Sequence, residues 1–386
     1  MPVPNGRELS VRIRSSAIKL LVLLGVFAIT PTGAADAGSF LLRDYKTAQV
    51  LPQHGLELSA DYLMMNSAVD VFKFRENEQQ TIDPSLRSNS LGDLNGVRLL
   101  GNWGVLEDTM LHGEFDWVDL DVAFGNVQVK TYDLSLRQRL LNGSKGWYPS
   151  ISIDAGVRAN QADDINASTV DELNPLVKRI AGSNFSVRDD GSFFWFDERL
   201  PNGTVSAGSA KVGKPAPDAV VEHMYDITPY LRLSAGKEFS WVAPNIFAEV
   251  GRTFVHSRID STLKYYAPAN ILNKFVVLPA DLDRAESYVK TGANLLFTTP
   301  FKVQGGVQYE YVRLFRNNNL DFVNYNHVVN ANISYFLTRN IAVDLGGVYY
   351  QRQFNGIVPF FYNKYTQTTF DHRYGVVHAG LVFVLD

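Results

Sequence analysis

The chain has 386 residues, of which 46% are hydrophobic and 12% aromatic, and it contains no cysteine. It therefore cannot form disulfides or thiolate metal sites, and it cannot carry a cysteine nucleophile or a lipid-modified N-terminal cysteine. Its 36 Lys and Arg against 40 Asp and Glu give a net charge of −4 with histidine neutral. This mild acidity argues against a nucleic-acid partner.

The first residues have the order of a secretory signal peptide. Basic residues from Arg7 to Lys19 precede the apolar run Leu20–Ile29, and Ala35-Asp36-Ala37 follows. That order predicts export and cleavage after Ala37. The apolar run is too short for a membrane-spanning helix, which needs about 20 residues. The sequence thus predicts a cleaved peptide at 1–37 and one mature domain at 38–386.

Beyond residue 37 no apolar stretch reaches the ~18 residues of a candidate membrane helix. If the mature chain spans a membrane, it must do so as a closed β-barrel, because lipid cannot satisfy the polar groups of an open backbone. The segment 148–160 has the required alternation, with Ser152, Asp154 and Arg158 on one face and Ile153 and Val157 on the other. A soluble β-sandwich is the alternative.

The same alternation recurs along the chain and predicts an all-β transmembrane antiparallel β-barrel of about 12 strands, an even number as in bacterial single-chain barrels. The many aromatic residues would then form girdles at the two lipid interfaces. The predicted strands are 55–66, 94–105, 109–121, 126–141, 148–160, 220–236, 243–258, 284–298, 301–315, 323–338, 340–353 and 373–386.

The connections between strands differ in length between the two ends of the predicted barrel. Most connections at one end are short, as at 106–108, 142–146 and 338–340, whereas longer ones, 67–93, 161–219, 259–283 and 355–371, alternate with them. Two connections at the long-loop end, near 125 and at 317–319, are also short. Short periplasmic turns alternating with longer extracellular loops are typical of outer-membrane barrels, and a sandwich has no reason to sort its loops in this way.

The sequence of the last predicted strand resembles that of a known group of proteins. Val377, Ala379, Leu381, Phe383 and Leu385 share one face, and the segment resembles the closing strand of Gram-negative outer-membrane proteins. That resemblance implies a cell outer-membrane location and a terminal signal for the barrel-assembly machinery. In that group the final residue is usually aromatic, whereas this chain ends at Asp386.

Two further stretches are similar to pore-forming outer-membrane proteins of the Legionella type. They are Tyr132-Asp133-Leu134-Ser135-Leu136-Arg137 and Asp154-Ala155-Gly156-Val157-Arg158. The likeness covers about a third of the chain and includes no diagnostic motif, and it favours a pore.

The polar face of each strand is expected to face the lumen, because a charge turned toward lipid costs ~2–4 kcal/mol at the bilayer midplane. So many charges in a dry core would be costly, which favours a wet interior. The set could form a salt-bridged network that props the barrel open, or part of it could select a solute, and the lumen could be open or plugged. The pore-lining candidates are Arg98, Glu114, Asp116, Asp133, Arg137, Arg139, Asp154, Arg158, Asp226, Arg232, Glu249, Lys290, Glu310, Asp344 and Arg352.

The long segment 161–219 is the other candidate for specificity. Residues 168–173 could open a short capped helix, and Asp190-Gly191 could turn a hairpin. The loop aromatic candidates could form a small core of the loop, pack on lipopolysaccharide, or contact a ligand. They are Phe193, Phe194, Trp195 and Phe196.

Catalytic signatures are missing from the sequence. No histidine lies in a known hydrolase or metalloprotease motif, and no glycine-rich phosphate loop occurs. His112, Glu114 and Asp116 share a strand face and could bind a metal, but a hydrated lumen wall is the simpler interpretation. The sequence therefore predicts no catalytic, cofactor or metal site.

The function predicted from the sequence is an outer-membrane pore, a porin-like channel for passive diffusion of small hydrophilic solutes. The alternatives are an outer-membrane enzyme acting on lipid and a non-conducting structural or surface-binding barrel. The expected partners are outer-membrane lipid and lipopolysaccharide, the barrel-assembly machinery and the solutes. The oligomeric state stays open.

Overall fold

The computed structural model describes residues 40–65, 93–122, 125–143, 147–167, 174, 185–187, 193–199, 205–210, 219–261, 282–316, 323–362 and 373–385. All of them belong to one compact unit, Ala35–Asp386. The predicted signal peptide at 1–37 lies outside the described residues. In the described part of the chain, no helix is long and apolar enough to cross a membrane.

Sixteen strands occur in the described residues. Twelve of them form the barrel wall, and four short ones, β6 to β9, lie between β5 and β10 along the chain. The strands are β1 Leu56–Met65, β2 Asp93–Leu106, β3 Thr109–Val122, β4 Gly125–Leu141, β5 Ser150–Ala162, β6 Ile165–Ala167, β7 Phe185–Val187, β8 Phe193–Arg199, β9 Val205–Ala210, β10 Ala219–Gly236, β11 Val242–Ser261, β12 Arg284–Thr298, β13 Val303–Phe315, β14 Tyr325–Phe336, β15 Ile341–Tyr350 and β16 Tyr374–Leu385.

The sheet closes on itself through its first and last strands. Leu58 of β1 is paired with Gly101 of β2 on one side and with Phe383 of β16 on the other. Every neighbouring pair around the ring is antiparallel, with β5 next to β10. The predicted all-β barrel and its twelve strands are confirmed. Closure leaves no strand edge unpaired, which is the condition for spanning a membrane.

Several predicted strand ends differ from the structure by two or three residues, and two of these differences have a clear backbone cause. Predicted strand 301–315 begins only at Val303, because Lys302 has a φ of 62° and belongs to the turn. Predicted strand 340–353 ends at Tyr350. Beyond it the chain turns away through Phe354 and Gly356, whose φ values of 59° and 74° lie in the left-handed region.

The outer surface of the wall is apolar. Leu134, Ile246 and Leu345 face outward with 58%, 64% and 58% of their surface exposed. Aromatic side chains mark the short-turn end, where Trp147 and Phe301 are 95% and 80% exposed. A continuous apolar surface of this kind is unfavourable in water and favourable in lipid, with aromatic residues at the interface. The short-turn end is the predicted periplasmic end, and the other is called the outer end below.

The long segment before β10 contains a small sheet of its own. β7 pairs with β8, and β8 with β9, all antiparallel. β7 and β8 flank the predicted turn at 190–191, which lies outside the described residues, as does the predicted helix at 168–173. The candidates Phe193 to Phe196 begin β8. Their side chains are also outside the described part, so their roles stay predictions.

The lipid-facing wall predicts a dependence on depth. Leu134→Arg, in the middle of β4, should lower the free energy of unfolding by about 2–4 kcal/mol, whereas Leu106→Arg, at the periplasmic end of β2, should lower it by about 0–1 kcal/mol. The two leucines are matched controls because they are 58% and 55% exposed. The measurement is a urea titration of protein folded into lipid vesicles. Equal losses in the two variants would show that this face does not lie in hydrocarbon.

Candidate pore interior

Most pore-lining candidates point into the barrel. Four of them, Arg98, Glu114, Asp116 and Arg158, are half-buried there. The others on the inner wall are buried, namely Asp133, Arg137, Asp154, Asp226, Arg232, Glu249, Lys290, Glu310 and Asp344. Whether any of them lines a conduction path stays a prediction.

Two candidates lie at or beyond the ends of the inner wall. Arg139 bonds to Asp108 and to the carbonyl of Glu107, both in the turn between β2 and β3, and so belongs to the periplasmic rim. Arg352 follows the end of β15 and packs over the ring of Tyr325 at 5.1 Å. Its assignment to the inner face of a strand was wrong because β15 ends two residues earlier.

A chain of alternating charges follows the inner wall. Strand register places Arg137 opposite Asp154, Asp154 opposite Arg232, and Arg232 opposite Glu249. The Arg137 guanidinium bonds to both oxygens of Asp154 at 2.8 and 3.1 Å, and Arg232 reaches Asp154 at 2.8 Å and Glu249 at 2.6 Å. Lys290 of β12 continues the chain from Glu249, at 3.4 Å. The chain therefore crosses five neighbouring strands, β4, β5, β10, β11 and β12.

The chain of charges ends on residues that precede the barrel. Lys290 also contacts Glu310 of β13 at 3.3 Å, and Glu310 pairs with Lys46. Lys46 belongs to residues 40–51, here called the N-terminal segment, which lies inside the barrel before β1. The last positive charge of the network is thus supplied from inside the lumen.

The N-terminal segment makes polar contacts across the lumen. The backbone N–H groups of Leu42 and Arg43 donate to the carboxylate of Glu57 on β1, at 2.9 and 2.5 Å. On other strands, the segment's polar groups bond to Asn102, Arg137, Ser152, Asn245, Asn294, Gln308 and Asn332. Because the backbone donors and acceptors find partners on the wall, burying the segment leaves few of them unsatisfied.

Arg43 holds two carboxylates of the wall together. Its guanidinium lies 2.6 Å from Asp61 on β1 and 3.1 Å from Asp344 on β15. His378 lies 3.4 Å from Asp344. In the described residues, Asp61, Asp344 and His378 are the only group of His, Asp and Glu side chains with ligand atoms close enough to share a metal. Arg43 supplies the positive charge there.

Apolar contacts also hold the N-terminal segment inside the barrel. Phe40, Leu42, Tyr45 and Leu51 pack with inward side chains near the periplasmic end, including Met110. Tyr45 is 2% exposed and Ala48 is fully buried. The periplasmic half of the lumen, here called the polar layer, is therefore occupied. The wet interior predicted from the wall charges was wrong for this layer, because ion pairs and the N-terminal segment satisfy them instead.

The outer half of the lumen is filled by a second segment, residues 351–362, here called the inward loop. It ends in a short 3-10 turn, Pro359–Phe361, and Phe360, Phe361 and Tyr362 are all under 5% exposed. Inward-facing apolar side chains from much of the wall surround it, including Leu63, Leu94, Leu120, Val127, Val129, Met224 and Val255. This outer half is called the apolar layer below.

Polar anchors fix the inward loop at its backbone. Arg284 donates to the carbonyl oxygens of Pro359 and Tyr362, at 2.8 and 2.7 Å. Asn160 donates both to the carbonyl of Ile357 and to Asp226. Part of the loop's backbone is therefore satisfied within the barrel, as a buried loop requires.

Sequence reasoning missed both filling segments. The signal for the inward loop was the run Ile357-Val358-Pro359-Phe360-Phe361-Tyr362. Such a run is out of place in a solvent-exposed outer loop. The N-terminal segment gave a weaker signal, since its charged residues Arg43, Asp44 and Lys46 carry no periodicity.

The side chains of the His112 group contact other residues of the inner wall. The His112 ring contacts the amide of Asn102 at 2.8 Å. Glu114 and Asp116 surround Arg98, with Asp116 bonded at 2.9 and 3.0 Å and Glu114 at 3.4 Å. His112 is therefore engaged by Asn102, and Glu114 and Asp116 are engaged by Arg98.

Comparison with known proteins finds likeness at the level of overall shape. No protein-family model matches, and no curated protein matches. Among solved structures, the NanC porin has a TM-score of 0.39 at 8% identity, covering 85% of this chain and 98% of that one. The CymD monoaromatic hydrocarbon channel has a TM-score of 0.36 at 11% identity, covering 88% and 90%. The outer-membrane protease OmpT from Escherichia coli has a TM-score of 0.27 at 12% identity, covering 88% and 99%.

The chain has an outer-membrane-type β-barrel fold. Its own closed ring, apolar exterior and charged interior establish this. At such low similarity neither the activity nor the specificity of those proteins transfers to it. The resemblance to Legionella-type pore-forming proteins stays a prediction.

Glu249 is the junction of the charge network, and its removal should be costly. Its carboxylate bonds to Arg232 at 2.7 Å and to the hydroxyl of Tyr288 at 2.7 Å, and it contacts Lys290. Glu249→Gln should lower the free energy of unfolding by about 3–5 kcal/mol, because two buried cations lose a counter-charge. The measurement is a urea titration in lipid vesicles.

The control is Glu222→Gln on β10. Glu222 pairs with Arg258, whose side chain is 62% exposed, and exposed pairs contribute at most about 1 kcal/mol. A loss at Glu249 no larger than at Glu222 would contradict a role for the network in stability.

Proposed function

We propose that the protein is an outer-membrane pore whose lumen is closed by two segments that are not part of its wall. The observation that carries the proposal is the independence of wall and filling. Each of the twelve wall strands is hydrogen-bonded to a neighbour on both sides, and neither segment adds a strand to the ring. Displacing both segments would leave a complete ring with hydrated charges on its inner wall. A twelve-stranded ring lies between small barrels filled by side chains and wide porins.

The polar layer supports passage of small hydrophilic solutes. Its inner wall carries carboxylates, guanidinium groups and amides from neighbouring strands, so a solute could exchange water for wall contacts. Charges of both signs alternate along it, as in the pairs Arg137–Asp154 and Arg232–Glu249. Such a wall favours weak rather than strong ion preference. Lipid, lipopolysaccharide and the barrel-assembly machinery remain the expected partners.

Catalysis has less support. On the inner wall, His112 is hydrogen-bonded to the amide of Asn102 and His378 lies next to the carboxylate of Asp344. In the described residues neither ring is hydrogen-bonded to a serine, although Ser135 lies opposite His112 on the neighbouring strand. We therefore propose no enzymatic role. Lipid hydrolysis by the purified protein would overturn that part of the proposal.

Conductance in planar bilayers tests the pore. The mature protein should conduct rarely, and deletion of residues 40–49 together with residues 353–361 should raise the conductance several-fold, because both layers of the lumen are then free for water and ions. The folded state of the deletion variant is checked by comparing the gel mobility of boiled and unboiled protein. A folded deletion variant that does not conduct would favour a structural barrel.

A second variant keeps the full chain. The hydroxyl of Ser152 on β5 donates to the carbonyl of Thr47 at 3.4 Å, and the natural sequence has no cysteine. A Thr47→Cys/Ser152→Cys protein can therefore form only the one intended disulfide within a chain. Oxidation should suppress channel openings and a reductant should restore them. Ser152→Cys alone, the control, should respond to neither reagent. Openings that persist in the crosslinked protein would contradict closure by the N-terminal segment.

A further inference from the structure

A cavity of about 80 Å³ lies where the polar and apolar layers meet. Its sides are inward-facing side chains of β1 to β4, β15 and β16, such as Leu63, Leu94 and Val348, and the inward loop contributes Phe354 and Ile357. A water molecule needs roughly 10–15 Å³ of such space, and an apolar cavity of ~150 Å³ binds benzene. The cavity is therefore large enough for a small organic molecule of a few heavy atoms.

The lining is apolar on most sides and polar at one. Of the side chains that line the cavity, only Arg98, Asp116, Thr131 and His378 are charged or carry a polar side chain other than tyrosine. Water needs two to four polar partners at each position, which most of this surface does not offer. Burial of an apolar body against the aliphatic side chains is favourable by about 25 cal/mol per Å². A hydroxyl on the same molecule could reach the polar side.

The charges at the polar side exclude an anion. Three carboxylates surround the single guanidinium of Arg98, with Asp116 at 2.9 Å, Glu114 at 3.4 Å and Asp44 at 4.0 Å. An incoming carboxylate or phosphate would be repelled by this group and would find the nearest cation already engaged. Thr131 donates its hydroxyl to Asn160 and keeps lone pairs free to accept a hydrogen bond.

We infer that this cavity is a binding site for small neutral molecules with an apolar body and one hydroxyl group, the class of short alcohols. The inference extends the proposed function, because the site lies within the lumen and would favour solutes of this class among those that pass. The inward loop lines the site on the side of the outer end, so entry from outside requires that Phe354 and its neighbours move.

Fluorine NMR with trifluoroethanol tests the site on full-length mature protein in lipid nanodiscs. The probe should show saturable binding with a Kd on the order of millimolar, as expected for a ligand of so few atoms. Empty nanodiscs measure its partition into lipid. Trifluoroacetate has the same apolar group with a negative charge, and it should bind at least tenfold more weakly. Equal binding of the two probes would overturn the assignment to neutral molecules.

A matched pair of substitutions on β15 locates the binding. Val348→Phe fills the cavity and should weaken trifluoroethanol binding at least tenfold, whereas Val343→Phe, which faces lipid with 43% of its surface exposed, should leave binding unchanged. If Val348→Phe does not fold, Val376→Phe on β16 fills the same cavity. Undiminished binding in a folded cavity-filling variant would overturn the site.

The proposed alcohol site and the proposed pore are tested by separate measurements, so either can be rejected without the other. Binding is read from the probe's resonance, and conduction is read from the variant that lacks residues 40–49 and 353–361. If the probe does not bind but the variant conducts, the alcohol site is rejected and the pore is retained. If the probe binds but the variant does not conduct, the pore is rejected and the site is retained.

Discussion

Closure of the ring between β1 and β16 is the constraint on which the rest of the structure depends. Because every strand is then paired on both sides, each residue of the wall faces either lipid or lumen, and the period of two along a strand decides which. Leu134 and Leu345 can be exposed only because lipid is the expected surroundings. Asp154 and Glu249 must face inward for the same reason, and both are fully buried there. One geometrical condition thus sorts apolar from charged side chains around the whole barrel.

Sorting charges into the lumen creates a second requirement, which is that they be neutralised. Neighbouring strands meet most of it, since Asp154 and Glu249 each contact cations on the strands beside them. Asp61 and Asp344 are different, because the cation between them is Arg43 of the N-terminal segment. Buried carboxylates without a counter-charge would be costly. The segment is therefore part of the electrostatic design of the closed barrel as well as an obstruction of its lumen.

The sequence predicted the wall far better than its filling. Alternation fixes the faces of Ser152, Asp154 and Val157 from their positions alone, and it located all twelve strands. The prediction of a wet interior was wrong because it assumed that the inward charges contact only one another and water. In the structure, the N-terminal segment also contacts them. Contacts such as Arg43 with Asp344 join residues far apart in the chain, and no local pattern marks them. The inward loop was assigned to the outside by its position after β15, although its aromatic run contradicted a solvent-exposed location.

The two layers of the lumen place different demands on anything that crosses it. The polar layer offers hydrogen bonds and charges, whereas the apolar layer offers mainly aliphatic and aromatic surface. Its buried polar groups are already engaged, Arg284 and Asp226 by the inward loop and Glu286 by Arg284 and Arg316. A strongly hydrated ion would lose its water shell in the apolar layer without replacement. A purely apolar molecule would gain nothing from the hydrogen-bonding and charged groups of the polar layer on the periplasmic side. Molecules with both an apolar body and a polar group match the two layers in turn. In the proposed pore, the order of the layers would therefore contribute to selectivity in addition to the width of the lumen.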